Sequence, residues 1–303
     1  MRHVKRAVAF TRSHPLLTPL FIVFAAINVL GGVFEFRLSL IPINVAVLAA
    51  YIALIHFATK DRPVAERAVP DDSRRRDVGV AITVAILQLF AVTIFWFVIV
   101  PHGVQTSWAA DLRRAGLPKL VAGRAAVASL AVPLLLLPTL VALAAFRVRP
   151  REVGLTATPR DLLLGAALAV ITIGLGLGAV ATGLNPGLMW QSSPLPAVTA
   201  AIAFQSLING VPEELAYRGV IFSRLMPWLG RPGNSMVISS ILFGLFHVPM
   251  YIATGISPWL APAIALFGLG EGLLFAYVFY RTRSIWPGAI WHTSITGVGL
   301  IFL

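Results

Sequence analysis

Along its length the chain alternates long apolar runs with short polar breaks. Runs long enough to cross the roughly 30 Å of hydrocarbon in a bilayer fall at residues 16–34, 39–58, 78–100, 121–146, 161–182, 196–218, 234–254, 259–280 and 285–302. The pattern predicts an all-α protein, a polytopic integral membrane helical bundle of eight to nine transmembrane helices. Eight is the competing count because the last run is short and the sixth carries charges. The first run follows Arg2, Lys5, Arg6 and Arg12, and with eight further runs behind it reads as a retained anchor rather than a cleaved signal.

Composition supports this pattern. The 303 residues are 58% hydrophobic and 12% charged, with mean hydropathy +0.85, whereas soluble domains are about 25% charged. Net charge is +12, which in a soluble protein would suggest nucleic acid. Alternating nine spans removes that need. The N-terminus, 59–77, 147–160, 218–233 and 281–284 fall on one side with 19 of the 24 basic residues, against Arg37, Arg113, Arg114, Lys119 and Arg124 on the other. The asymmetry predicts a multi-pass protein with a cytoplasmic N-terminus, whose partner is the lipid bilayer and not nucleic acid. Within 59–77, a solvated connector, Arg74–Arg76 can touch anionic lipid. Residues 107–117 read as a short interfacial helix. Cysteine is absent, which excludes disulfides, thiolate ligands and a cysteine nucleophile.

Against this background "NGVPEELAYRGV", residues 209–220, stands out. A charge at the centre of a bilayer helix costs about 2.5–3.5 kcal/mol on insertion scales, yet Glu213, Glu214 and Arg218 occur together. Glu214 and Arg218 are four apart, acid first, the favourable order for a helical ion pair. Glu213 lies about 100° around the helix and is not explained by that pair. The next runs add His247 in "FGLFH" and His292 with Thr296 in "WHTSIT". Each histidine alone reads as a packing residue. Together, two glutamates and two histidines on three spans supply the bases, donors or metal ligands that water activation requires. Spans one to five are nearly free of ionisable residues, which favours one localised site over the path of a transporter, the competing reading. Glu271 in "GLGEG" reads as a partner for Arg218 or for a substrate amine. There is no HExxH and no serine elbow.

"EELAYRG", "FGLFH" and "FGLGEGLLFAYVFYRTRSIWPGAIWH" resemble, in order, the EExxxR, FxxxH and third motifs of the CAAX-protease and bacteriocin-processing (CPBP) family, related to the type II CAAX prenyl endopeptidases. The resemblance covers 195–303 as a catalytic core and leaves 1–190 as a variable N-terminal extension. It implies an intramembrane endopeptidase acting on a membrane-associated protein or peptide, in a bacterial cell membrane. Glu213 would activate water, Glu214 would be held by Arg218, His247 would assist, and His292 would stabilise the oxyanion with Thr296 in support. Zinc held by Glu213, His247 and His292 and a metal-free glutamate mechanism are both compatible with it. One position departs from the family: Thr296 stands where an asparagine is usual, and this leaves a catalytically inactive scaffold as a further alternative.

The nine-span topology makes a direct prediction. Reporter fusions at Lys60 and at Trp190 are expected on opposite sides of the membrane, and the same side for both contradicts it.

Overall fold

The computed structural model describes residues 40–62, 71–182 and 194–301, and among these every regular element is helical. They are α1 (Leu40–Ala58), α2 (Asp71–Ile94), α3 (Val104–Arg114), α4 (Lys119–Ala131), α5 (Leu137–Ala145), α6 (Pro159–Ala181), α7 (Leu195–Gln205), α8 (Ser223–Leu229), α9 (Pro232–Phe246), α10 (Val248–Ala253), α11 (Leu269–Thr282) and α12 (Trp286–Ile301), with shorter turns between some of them. The apolar run at 16–34 lies outside the described residues.

Helix ends follow local sequence. Thr158 and Asp161 form a capping box at the start of α6: the Thr158 N–H donates to Asp161 Oδ2 at 2.8 Å and the Asp161 N–H to Thr158 Oγ1 at 3.3 Å. Gly230, with φ of +64°, closes α8 in the left-handed conformation that glycine adopts at least cost.

Among the described residues six helical stretches are long and apolar enough to cross a membrane: Arg75–Ile99, Lys119–Ala145, Pro159–Gly178, Leu195–Leu229, Pro232–Ala253 and Ala261–Thr282. Ala46–Ala58 is a shorter apolar helix, and α12 has 16 residues. Large apolar side chains such as Ile82, Ile86 and Phe90 of α2 and Leu163 and Val170 of α6 are exposed. Helices satisfy their own backbone, so such faces are stable against lipid. The protein is an integral membrane helical bundle.

Several of these rods are interrupted. The backbone changes to i→i+5 bonding at Phe95–Ile99, Val132–Leu136, Ser206–Gly210 and Glu214–Phe222. Proline accounts for two of these changes: Pro133 lies inside one segment and Pro212 just beyond another. A proline supplies no N–H and clashes with the carbonyl four residues back, and one extra residue in the turn relieves the clash.

The described residues form two compact units, those up to residue 85 with 220–282 and those of 86–219 with those from 283 onward. In the first, α9 packs on α11 through small residues. A Cβ on Gly272 would lie 2.9 Å from Ser240 Cβ, and one on Gly244 would lie 2.7 Å from the Ala265 carbonyl oxygen. Arg281 Nε donates to Thr59 Oγ1 at 2.9 Å. Arg224 and Asp77, both buried, pair at 2.8 Å. In the second unit α12 packs along α6, where Gly165 leaves no room for a Cβ against Pro287 Cα at 2.9 Å. Trp291 Nε1 donates to Thr172 Oγ1 at 2.8 Å. The segment before α6 ties down the start of α12: the Ile285 N–H donates to the Gly154 carbonyl at 3.0 Å and Trp286 Nε1 to that of Leu155 at 2.9 Å. Gln88 fills its buried site by donating to the Leu135 carbonyl and to Thr139 Oγ1.

The structure corrects two boundaries. The sixth span does not end at 218 but continues to Leu229, so Arg218 and Arg224 are buried helical residues rather than part of a basic loop. Each has a carboxylate beside it, Glu214 and Asp77. Helix α2 begins at Asp71, so Arg74–Arg76 sit on its first turns rather than in a connector. The short segment expected to be helical at 107–117 overlaps α3, Val104–Arg114.

Removing one member of a buried ion pair strands the other and costs about 3–5 kcal/mol, whereas replacing both by apolar groups is often neutral. Asp77→Ala and Arg224→Met are each expected to lower the melting temperature in detergent, and Asp77→Leu combined with Arg224→Met to recover most of the loss. Additive losses would contradict the pairing.

Candidate active site

The site begins with a polar stripe on an otherwise apolar rod. Gln205, Asn209 and Glu213 recur every four residues and are all buried, so they fall near one line of the helix. Immediately after Glu213 the backbone widens to the i→i+5 pattern over Glu214–Phe222. That turn keeps residues four and five apart in register, and Arg218 Nη1 lies 2.9 Å from Glu214 Oε1 with both side chains fully enclosed. The ion pair expected from the spacing is therefore present, although the backbone carrying it is not the α-helix that the spacing suggested.

Helix α12 completes the cluster. His292 Nδ1 is 3.2 Å from Glu214 Oε1, and His292 Nε2 is 3.8 Å from Glu213 Oε2. Arg218 holds Glu214 as a carboxylate, which can only accept, so the proton at the Glu214 contact sits on Nδ1. The 3.8 Å gap on the other side is too long for a direct hydrogen bond. Glu213 Oε2 and Glu214 Oε2 are buried and have no hydrogen-bond partner among the described residues. One turn beyond His292, the Thr296 hydroxyl lies 3.1 Å from the His292 carbonyl and 3.5 Å from Asn209 Oδ1.

Two glycines allow these helices to meet. A Cβ on Gly210 would lie 2.2 Å from Thr293 Oγ1 and 2.9 Å from the Ala289 carbonyl, and one on Gly288 would lie 2.8 Å from Glu214 Oε2. A side chain at Gly210 would force apart the helices carrying Glu213 and His292, and one at Gly288 would displace the Glu214 carboxylate from its place beside Arg218. A neighbouring face of α12 borders an apolar cavity of about 350 Å³, lined among others by Ile173, Ile202, Ile290 and Gly297.

His247 belongs to the first unit. It ends α9, and its Nδ1 donates to the Phe243 carbonyl at 2.9 Å. It is half-buried and edge-on to Phe243 and Phe246. A carbonyl can only accept, so Nδ1 carries the proton and Nε2 keeps its lone pair. Glu271, exposed on α11, also belongs to the first unit, and the ion pair of Arg218 is with Glu214.

As a metal site the cluster is incomplete. Glu213 Oε2 and His292 Nε2 face each other, and Glu214 behind Nδ1 is the kind of carboxylate that orients metal-binding histidines. A catalytic zinc takes about three protein ligands, and among the described residues no three His, Asp or Glu side chains converge at ligand distance.

Sequence reasoning overlooked Asn209, Gln205 and the two contact glycines. The four-residue recurrence of polar side chains at 205, 209 and 213 was the available signal for the first two; nothing in one sequence marks Gly210 and Gly288.

Comparison with the curated proteins and with the solved structures gives no match. Residues 195–298 match the family described as type II CAAX prenyl endopeptidase Rce1-like. That segment contains the paired glutamates, Arg218 and both histidines, and over it the chain is similar to the CAAX-type membrane endopeptidases.

Proposed function

We propose that the chain hydrolyses a peptide bond of a membrane-associated protein or peptide with a water activated by Glu213. The observation that carries this reading is the inequality of the two adjacent carboxylates. Both have a buried Oε2 without a hydrogen-bond partner among the described residues, but Glu214 is held through Oε1 by Arg218 and His292, whereas Glu213 has only the 3.8 Å approach of His292 Nε2. A carboxylate free to accept a proton inside an apolar wall is what a general base needs.

In this reading the water oxygen attacks the scissile carbonyl carbon as its proton passes to Glu213, and the carbonyl electron pair moves onto oxygen. Collapse of the tetrahedral intermediate breaks the C–N bond, and the departing nitrogen takes the proton from Glu213. His292 in its doubly protonated form, anchored through Nδ1 to Glu214, donates Nε2–H to the oxyanion. Arg218 keeps Glu214 ionised and so holds His292 in orientation. His247, whose Nε2 lone pair is unengaged by its own carbonyl contact, is by resemblance the second base. The apolar cavity beside α12 suits an apolar part of the substrate, such as a prenyl group. Zinc, if bound, would take Glu213 and His292 from this cluster, with His247 a ligand by resemblance alone, and would supply Lewis acidity. The N-terminus is cytoplasmic and the membrane a bacterial one.

The test uses purified protein in proteoliposomes and an internally quenched peptide ending in a farnesylated CAAX sequence. Glu213→Gln is expected to reduce cleavage by about 10²–10⁴-fold while the protein remains as abundant as wild type. Glu214→Gln is expected to reduce abundance as well, because Arg218 loses its buried partner. Equal rates for wild type and Glu213→Gln would remove Glu213 from the reaction. Resistance of the wild-type rate to 1,10-phenanthroline is the outcome expected of the metal-free mechanism, and loss restored by added zinc is that of the metal-dependent one.

A further inference from the structure

Oxyanion stabilisation at Thr296 meets a difficulty. A hydroxyl has one proton to donate, and that of Thr296 lies within reach of three acceptors: the His292 carbonyl at 3.1 Å, the Thr293 carbonyl at 3.3 Å and Asn209 Oδ1 at 3.5 Å. Given to any of the three, that proton is not available to a substrate; given to Asn209 Oδ1, it fixes the orientation of the Asn209 carboxamide.

Asn209 has what Thr296 lacks. It sits one turn before Glu213 on the same rod and is buried. Its carboxamide oxygen is the atom that faces Thr296. Its contact with Thr296 is made through Oδ1, which leaves the two N–H groups of the amide for a molecule in the site. The place is structurally enforced. Gly210, the next residue, is in near-backbone contact with Ala289 and Thr293 of α12, and the widened turn Ser206–Gly210 ahead of Pro212 sets the rotation of this segment.

We propose that the Asn209 carboxamide is the second oxyanion donor of this site, opposite His292, and that Thr296 orients it. The scissile carbonyl oxygen would receive Nε2–H from His292 and Nδ2–H from Asn209 as negative charge develops on it. No covalent change occurs at Asn209; its two hydrogen bonds strengthen in the transition state and relax when the C–N bond breaks. Thr296 is a positioning residue, acting through Asn209.

This rests on the endopeptidase reading, and the experiment separates the two. The same proteoliposome assay with the farnesylated quenched peptide is run on wild type, Glu213→Gln, Asn209→Ala, Asn209→Asp, Thr296→Val, Thr296→Asn and Asn209→Ala with Thr296→Asn. Removing one oxyanion donor typically lowers kcat by about 10²–10³-fold. Asn209→Ala is expected to show that loss in kcat with KM within threefold of wild type, on the assumption that a donor acting only in the transition state leaves ground-state binding intact. Asn209→Asp keeps the shape and the acceptor for Thr296 but has no N–H₂, and is expected to fall equally, which covers the case in which Asn209→Ala does not fold. Thr296→Val is expected to lose less than either, since it loosens the amide without removing it. Adding Thr296→Asn to Asn209→Ala supplies an amide from the facing helix and is expected to restore at least tenfold of the lost rate. That rescue has no counterpart if Asn209 is only a packing residue. Asn209→Asp or Asn209→Ala cleaving within threefold of wild type overturns the proposal, as does a double variant no faster than Asn209→Ala. A wild type no faster than Glu213→Gln defeats the endopeptidase reading itself, and the Asn209 proposal with it.

Discussion

The arrangement depends on one buried ion pair. Arg218 and Glu214, 2.9 Å apart and almost wholly excluded from solvent, are two charges that neither lipid nor an apolar core can accommodate singly. Either without the other would be strongly destabilising. His292 joins them at Glu214, so the last helix is held to the charged rod by a polar contact as well as by packing. That contact requires the two backbones to approach closely, and Gly210 and Gly288 are the residues that permit it. In a membrane, where helices gain little by hiding apolar surface from lipid, small residues and interhelical polar contacts carry much of the association.

The same rule holds elsewhere in the chain. Arg224 has Asp77, Gln88 has the Leu135 carbonyl and Thr139, and Arg281 has Thr59. Each of these polar side chains has a partner across the packing, although Asp77 Oδ2, Gln88 Oε1 and Glu214 Oε2 stay buried without one. Glu213 goes further: its Oε2 is likewise unfilled, and it faces His292 Nε2 across a gap too wide for a hydrogen bond. A buried acid with an unfilled acceptor is costly to keep, and a reacting water is a substrate-dependent way to fill it.

How far the sequence could be read depended on the range of the physics involved. The spans were legible because hydropathy over many residues is set by the thickness of the bilayer, and the Glu214–Arg218 pair because it is local to one turn. The end of the sixth span was misjudged because Arg218 and Arg224 look like loop residues until their partners are seen, and Asp77 is 147 positions from Arg224 in the chain. The widened turns around Pro212 were not legible, since one proline signals a disturbance without saying how the backbone relieves it. Asn209 was passed over for the same reason as Gly210: its significance lies in what α12 brings against it.

The account stands on Glu213 as the residue that converts a bound water into a nucleophile in the membrane. The most direct measurement compares the termini of membrane-associated proteins in cells carrying the wild-type chain and in cells carrying Glu213→Gln at equal abundance. The account predicts that at least one protein accumulates uncut in the Glu213→Gln cells and is found with a new terminus in the wild-type cells. Identical sets of termini in the two would contradict it.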